Sequence, residues 1–317
     1  MLKKVNLGIM ENMKKDFLDL TDVTKREIEE ILALAKEVKA NPEKYVKALE
    51  GKTLLMIFAK PSLRTRVSFE VAMTQLGGHA IYYDVSTSPW GKKESIADTA
   101  KTVSRYVDIM MARLFAHKDI EELACNSSIP VINGLTDFAH PCQILSDFLT
   151  IQEKKGKLSG LKLAYFGDGN NNITHSLLLG GSIVGMDIFV ACPEQSQPQA
   201  EVLEKAKAIA QETSSKIVLI NDAEMVAKEA DVVYTDSWMS YHIPEADKQK
   251  RIEIFAPYQV NEHLMSLAQK DAVFMHCLPA QRGMEMTAGV IDGKQSIVFD
   301  QASNRLYLQK ALMLKLL

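Results

Sequence analysis

The sequence lacks a long hydrophobic run. Although 47% of its 317 residues are hydrophobic, no stretch approaches the roughly 20 apolar residues that a membrane-spanning helix needs. Lys3, Lys4, Lys14 and Lys15 bring positive charge to the N-terminus, but acidic residues interrupt them and no signal-like apolar core follows. We therefore expect a cytoplasmic protein without a membrane partner.

Cysteine is scarce, and neither sign of charge dominates. The four cysteines (Cys125, Cys142, Cys192 and Cys277) lie far apart without metal-type pairing, which favours reduced thiols in a cytosol and predicts no metal site. A formal net charge of -3 provides no broad positive field to attract nucleic acid or anionic lipid. Repeats and low-complexity segments are also absent, so the composition is typical of a globular protein of enzyme size.

Strand and helix patterns alternate from about residue 50, which predicts parallel strands joined by helical crossovers. The strand patterns cover 53–58, 79–84, 107–112, 129–132, 161–167, 187–191, 216–220, 231–235 and 272–277. The helix patterns cover 64–76, 94–106, 117–126, 140–154, 172–184, 198–212, 222–229, 249–269 and 304–317.

A charged segment with one glycine, residues 153–157, follows a long helix pattern and indicates a domain boundary. We predict an α/β fold with two doubly wound parallel-sheet domains, residues 1–152 and 153–303. The last helix, 304–317, has an apolar face and is expected to pack back across the first domain. Ligands in such folds bind beyond the carboxyl ends of the strands, which directs attention to polar residues at those positions.

The segment Ser62-Leu63-Arg64-Thr65-Arg66 follows the first strand and begins a helix. Free N–H groups and the positive end of the helix dipole favour an anion there, and the arginine fork matches phosphate oxygens. The segment therefore predicts a phosphate site, with a serine cap and two solvated arginines as the alternative.

Other strand ends in the first half add polar groups. Arg113 ends an apolar strand, and His140-Pro141 begins a helix that has Gln143 in its first turn. His140 can donate to a carbonyl oxygen there, or simply cap the helix. Arg305 is placed at the start of the last helix and adds a further guanidinium to the predicted cleft.

The second half offers three further motifs. The turn at 167–172, Gly-Asp-Gly-Asn-Asn-Asn, resembles a dinucleotide fingerprint, but Asn172 replaces the third glycine. A nicotinamide-linked oxidoreductase therefore stays an alternative, while the amides also suit an amino acid's carboxylate. Asp236 follows the strand pattern at 231–235. His276 and Cys277 suggest a thiolate nucleophile, yet consecutive strand residues face opposite sides, which disfavours a dyad.

Taken together, these segments resemble the transcarbamylase family, and its ornithine-using members most closely. The resemblance covers about residue 50 to the C-terminus and includes Ser-Leu-Arg-Thr-Arg, Met-Ala-Arg at 111–113, His-Pro-Cys-Gln at 140–143, the turn at 167–172, Asp236 with Ser240, His-Cys-Leu-Pro at 276–279 and Asn-Arg at 304–305. It implies a carbamoyl phosphate domain followed by an amino-acid domain, bridged by two helices. It also implies homotrimers, or multiples of trimers, with active sites at subunit contacts.

The resemblance further implies carbamoyl transfer from carbamoyl phosphate to the side-chain amine of ornithine, with no cofactor. The residues that it implies for carbamoyl phosphate are Ser62, Leu63, Arg64, Thr65, Arg113, His140, Gln143, Cys277, Leu278 and Arg305. Those that it implies for ornithine are Asn172, Asp236, Ser240 and Tyr241. Arg113, His140, Cys277 and Asp236 would surround the reacting atoms.

Two departures from the family pattern keep alternatives open. Ser240-Tyr241-His242 stands where ornithine-using members have Ser-Met-Gly, so putrescine or another amine remains an alternative acceptor, and a catalytically silent relative an alternative role. Putrescine has no carboxylate, however, whereas the asparagine turn and Ser240 suit one. The loop with Trp90 and Lys92 differs as well; it either reaches a neighbouring subunit or is solvated.

Overall fold

A computed structural model of the protein describes residues 16–87, 90, 93–239 and 244–317. The strands are β1 Thr53–Phe58, β2 His79–Asp84, β3 Ile109–Arg113, β4 Val131–Leu135, β5 Lys162–Phe166, β6 Asp187–Ala191, β7 Ile217–Ile220, β8 Val232–Thr235 and β9 Val273–His276. The helices are α1 Lys25–Ala40, α2 Leu63–Gln75, α3 Ile96–Val103, α4 His117–Asn126, α5 Pro141–Lys155, α6 Asn172–Val184, α7 Ala200–Thr213, α8 Ala223–Ala227, α9 Lys248–Phe255, α10 Glu262–Leu267, α11 Ala288–Ile291 and α12 Val298–Leu316. Among these helices, none has the length and apolarity to cross a membrane.

The first sheet is built around β1, whose residues from Leu54 onward are buried, as expected for a strand covered on both faces. Its order is β2-β1-β3-β4, with parallel neighbours throughout. The chain moves from β1 outward to β2 and returns on the other side as β3. Phe58 at the end of β1 is opposite Arg113 at the end of β3. The segment that begins at Ser62 therefore follows a topological switch point, where such sheets bind ligands.

The second sheet repeats this arrangement in the order β7-β6-β5-β8-β9, again parallel. Here the order reverses between β5 and β8, and Phe166 is opposite Thr235. The asparagine turn after β5 and Asp236 after β8 consequently lie side by side at the second switch point.

Two helices connect the sheets. α5 leads from β4 into β5, and α12 follows the last strand and packs against α1, α2 and α5. Phe148 of α5 and Leu308 of α12 belong to one core cluster that contains residues of both sheets. The predicted fold class is confirmed, including the two bridging helices, whereas the limits 1–152 and 153–303 remain predictions.

The prediction of a single helix at 249–269 is wrong, because the structure forms two helices there, α9 and α10. Pro257 has no N–H group to continue α9, and a short 3-10 turn, Ala256–Tyr258, ends it. Asn261 then begins α10, since its side-chain oxygen accepts a hydrogen bond from Leu264 N at 3.0 Å.

Other helices also differ from the patterns predicted from the sequence. α12 begins at Val298 instead of 304, because its N-cap Ile297 provides no side-chain hydrogen bond that would mark the start. The helix expected at 94–106 is shorter, beginning after the N-cap Ser95. Neither α1 nor α11 has a counterpart among the predicted helix patterns, although Thr24 and Glu27 form a capping box at the start of α1.

Gly77, between α2 and β2, provides a test of this packing. A Cβ atom there would lie 2.6 Å from the backbone oxygen of Val46, and φ is +87°. Gly51 has a similar φ of +79° with nothing within 4 Å. Each Gly→Ala change costs about 1–2 kcal/mol for the left-handed backbone, and only Gly77→Ala adds a backbone clash. We expect a clearly lower thermal midpoint for Gly77→Ala than for Gly51→Ala; equal midpoints would contradict the close approach.

Candidate active site

A cleft of about 420 Å³ opens between the carboxyl ends of the two sheets. Side chains of both halves line it: Lys60, Ser62, Arg64, Arg113, Leu135, Asp137 and His140 from the first, and Asn170, Asn171, Asn172, Ile173, His175, Gln199, Asp236, Ser237, Met239, Cys277, Leu278, Pro279 and Arg305 from the second. The structure thus brings together most of the residues that the sequence singled out. Thr65 and Gln143 are buried beside this lining, and the side chain of Leu63 points to solvent with 77% exposed.

The phosphate segment has the expected helix start. Ser62 is the N-cap of α2, and its hydroxyl accepts a hydrogen bond from Thr65 N at 3.3 Å. Arg305 Nη2 donates to Thr65 Oγ1 at 2.8 Å, although 240 residues separate them in the chain. The Nε atoms of Arg64 and Arg305 are buried and have no hydrogen-bond partner among the described residues. Their donors are therefore available to an anion.

His140 is held neutral by its surroundings. It is the N-cap residue of α5, as predicted, and its backbone N–H donates to Ser176 Oγ of the other half at 2.9 Å. The pKa of His140 lies well below its ordinary value of 6.5, first because the ring is buried and then because Arg305 and Arg113 are close. A neutral imidazole can donate one hydrogen bond to a carbonyl oxygen without a proton being exchanged.

Gln143 lies in the first turn of α5. Its amide nitrogen donates to Asp147 Oδ1 at 2.8 Å, while its amide oxygen is buried without a partner among the described residues. The side chain therefore holds an acceptor that still needs a donor.

Asp236 and Cys277 form the opposite wall. The thiol of Cys277 donates to Asp236 Oδ1 at 2.9 Å. Burial, followed by the charge of Asp236, raises the pKa of Cys277 well above its ordinary value, and burial also raises the pKa of Asp236. The thiol is thus protonated at neutral pH, which argues against a thiolate nucleophile.

His276 is buried and does not form a dyad with Cys277. Its Nδ1 accepts a hydrogen bond from Leu278 N at 2.9 Å, and burial lowers the pKa of His276 to about 3. Asp236, His276 and Cys277 each place one potential metal ligand within 4.8 Å of the others. Two of these three groups are already joined by the thiol–carboxylate hydrogen bond.

The turn at 167–172 owes its glycines to packing. A Cβ on Gly167 would approach Trp238 Nε1 to 3.0 Å, and one on Gly169 would approach the Ser196 backbone oxygen to 2.5 Å. The backbone of Ser196 thus packs against the turn and leaves no space for a side chain at position 169. Asn172 begins α6 and lines the cleft, where its amide donates to Thr136 O at 2.6 Å.

The sequence reading missed several cleft residues. Lys60 is 3% exposed, forms an ion pair with Asp137 and lies over the Phe115 ring with Nζ 4.6 Å from its centroid. Its position two residues before Ser62, just after the first strand, is the sequence feature that could have indicated a place in the cleft. His175 lies on α6, and Gln199 lies just before α7. Neither residue belongs to a sequence motif that indicates a functional site.

Some predicted residues lie outside the described ranges: Ser240 and Tyr241 of the acceptor loop, with His242, and Lys92 beside Trp90. Trp90 itself is described. Its ring is partly buried and packs against the core cluster on one face of the first sheet.

Two family models match the chain. Residues 15–153 match the carbamoyl-P binding domain of aspartate/ornithine carbamoyltransferase, and residues 159–316 match its Asp/Orn binding domain. The chain belongs to the aspartate/ornithine carbamoyltransferase family. This membership confirms the resemblance and disagrees with the nicotinamide-linked alternative.

Relatives within the aspartate/ornithine carbamoyltransferase family are similar over nearly the whole chain. An ornithine carbamoyltransferase of Anoxybacillus flavithermus is 55% identical and covers 96% of each chain. A solved ornithine carbamoyltransferase from Pyrococcus furiosus has a TM-score of 0.91 at 50% identity, covering 94% of this chain and 95% of that one. A relative from Thermoplasma volcanium, 48% identical over 96% of this chain and 99% of its own, is named as catabolic.

The protonated state of Cys277 can be tested by alkylation. Cys125 is exposed, whereas Cys277 is half-buried and bonded to Asp236. We expect iodoacetamide at pH 8 to modify Cys125 much faster than Cys277, because the thiolate is the reacting species. Mass spectrometry of tryptic peptides measures both rates in one sample. Comparable rates would show that Cys277 is ionised and would restore the nucleophile hypothesis.

Proposed function

We propose that this protein transfers the carbamoyl group of carbamoyl phosphate to the side-chain amine of L-ornithine, giving citrulline and phosphate. One observation carries the proposal. Arg64, Arg113, His140 and Arg305 line the same cleft as Asp236. Positive charge on one side suits a phosphorylated one-carbon donor, and the other side leaves room for an amine. The ornithine carbamoyltransferases among the relatives support this choice of acceptor.

The donor would be held from the start of α2. In this proposal Ser62, Arg64, Thr65 and the backbone N–H of Leu63 bind the phosphate, with Arg305 fixed beside them through its bond to Thr65. The exposed side chain of Leu63 is compatible with a backbone role.

The carbamoyl end would lie against Arg113 and His140. Both can donate to the carbonyl oxygen, which gains negative charge as the amine attacks, and the backbone near Cys277 and Leu278 completes the pocket. In other acyl transfers a well-placed donor of this kind contributes about 3–4 kcal/mol. Alignment of the two bound substrates supplies much of the remaining acceleration. The chemistry requires no cofactor.

The amine must be neutral when it attacks. A C–N bond then forms, the C–O bond to phosphate breaks, and the extra proton of the amine passes to a phosphate oxygen. In this scheme Asn172 and Asp236 bind the α-carboxylate and α-amino end of ornithine, together with Ser240 and Tyr241. Cys277, protonated and bonded to Asp236, borders the approaching amine without reacting covalently.

We also propose a homotrimer in the cytoplasm. Leu63 and Val67 are 77% and 48% exposed one turn apart on α2, and Ile81 on the edge strand β2 is 41% exposed. Exposed apolar side chains of this kind are often covered by a neighbouring subunit. Light scattering during size-exclusion chromatography should give a mass of three chains.

The proposed location in the cytoplasm has a separate basis. The four free cysteines suit a reducing compartment.

An acceptor panel tests the reaction. Each amine is incubated with carbamoyl phosphate, and the ureido product is detected colorimetrically. We expect turnover with ornithine to be much higher than turnover with putrescine, aspartate or N-acetylornithine. Highest turnover with putrescine would identify the alternative acceptor. No product with any amine, while carbamoyl phosphate still binds, would identify a catalytically silent relative.

Arg64→Ala tests the phosphate site. Loss of this guanidinium should weaken binding of inorganic phosphate by about 10- to 100-fold, as measured by calorimetry, because charge-assisted hydrogen bonds are lost. Arg66→Ala is the matched control, since Arg66 lies on the same helix but pairs with Glu70 and stacks on Tyr82. Unchanged phosphate binding in folded Arg64→Ala would contradict the assignment.

His140→Ala tests carbonyl polarisation. We expect kcat to fall by about 10²- to 10³-fold, with a much smaller change in the KM for ornithine. The control is His263→Ala, which removes an exposed imidazole paired with Glu224. A kcat equal to that of the control would remove His140 from the mechanism.

A further inference from the structure

Behind the cleft lies a buried carboxylate that the mechanism above does not use. Asp147, one turn after Gln143 on α5, is fully buried. Its Oδ1 accepts hydrogen bonds from Gln143 Nε2 and Gln301 Nε2, both at 2.8 Å, and its Oδ2 accepts one from Tyr234 OH at 2.8 Å. Three neutral donors therefore converge on one carboxylate, and no cation donates a hydrogen bond to it among the residues that the structure describes.

This carboxylate determines how the Gln143 amide is oriented. An ionised carboxylate only accepts hydrogen bonds, so the amide must present its NH2 group to Asp147. Burial raises the pKa of Asp147 only to about 6, which leaves the group ionised at pH 8. The amide oxygen of Gln143 is thereby turned away from Asp147, and it is buried without a partner in the described part of the chain.

The second arm of the network reaches the other side of the cleft. Gln301 lies in α12, and its Oε1 accepts a hydrogen bond from His276 N at 2.9 Å while its Nε2 is held by Asp147. His276 in turn accepts from Leu278 N, so the backbone that enters the cleft after β9 is linked to the same carboxylate. The network joins α5, α12, β8 and β9.

We propose that Asp147 is a positioning residue that makes the site selective for a donor with an N–H group next to its carbonyl. By holding the NH2 of Gln143, it leaves the Gln143 oxygen to accept from the donor's own NH2 group. An acyl phosphate with a methyl group in that position cannot satisfy this buried oxygen and is disfavoured. The inference rests on the proposed function, since it assumes that carbamoyl phosphate is the donor.

The experiment compares three ligands that share a phosphate: carbamoyl phosphate, acetyl phosphate and inorganic phosphate. Their dissociation constants are measured by calorimetry at low temperature and pH 8. The wild type should bind carbamoyl phosphate much more tightly than acetyl phosphate. In Asp147→Leu, which keeps a branched side chain but removes every acceptor, we expect carbamoyl phosphate to bind about tenfold more weakly or worse. Acetyl phosphate and inorganic phosphate should stay within about twofold of the wild type.

Two further variants separate positioning from general damage. Thr150→Val removes two other buried hydrogen bonds one turn along α5. Thr150 Oγ1 accepts one from Asn304 Nδ2 at 3.0 Å and donates the other to Ser146 O at 2.8 Å. This variant should leave all three affinities unchanged. Asp147→Asn keeps one oxygen for three donors and should give an intermediate preference for carbamoyl phosphate. If Asp147→Leu does not fold, Asp147→Asn decides the matter.

Equal weakening of all three ligands in the Asp147 variants would show a merely structural role and overturn the inference, as would an unchanged preference for carbamoyl phosphate in folded Asp147→Asn. Failure of the proposed function looks different. In that case the wild type itself would bind neither carbamoyl phosphate nor inorganic phosphate.

Discussion

Positive charge that is held close together and away from water is the constraint on which the cleft depends. Burial, followed by the nearby charge of Arg64, lowers the pKa of Arg305. Such an arrangement costs free energy until an anion occupies it. The hydrogen bond from Arg305 to Thr65 fixes one guanidinium in place. The packing of α12 against α1, α2 and α5 keeps that guanidinium in the cleft.

Burial and neighbouring charges set the protonation states of the other groups in the cleft. His140 stays neutral because it is buried among cations, while Cys277 stays protonated because it is buried against Asp236. A protonated thiol is not the state that a nucleophilic cysteine needs. Both states fit a reaction in which the protein orients and polarises two substrates, and in which the proton moves between the substrates themselves.

Much of the fold was predictable from sequence, because buried parallel strands such as β1 are almost continuously apolar and their ends are marked by polar residues. Ser62 and Pro141 also have local chemistry that fixes a helix start. One local signal is easily overlooked, because Pro257 divides a pattern that otherwise predicts one helix. The other features that escaped prediction depend on tertiary contact. The glycines of the 167–172 turn are explained by Trp238 and Ser196, which are remote in sequence. Asp147 looks like an ordinary helix residue until Gln301 and Tyr234 are brought to it.

The position of Arg305 also bears on how the protein is made. This guanidinium belongs to α12, the last element of the fold, yet it is bonded to Thr65 near the start of the first sheet. A ribosome-bound nascent chain can form β1 and the start of α2 long before residue 305 emerges. During synthesis the anion pocket therefore stays incomplete, and a chain that is released prematurely lacks one of its guanidiniums however well its first sheet has folded.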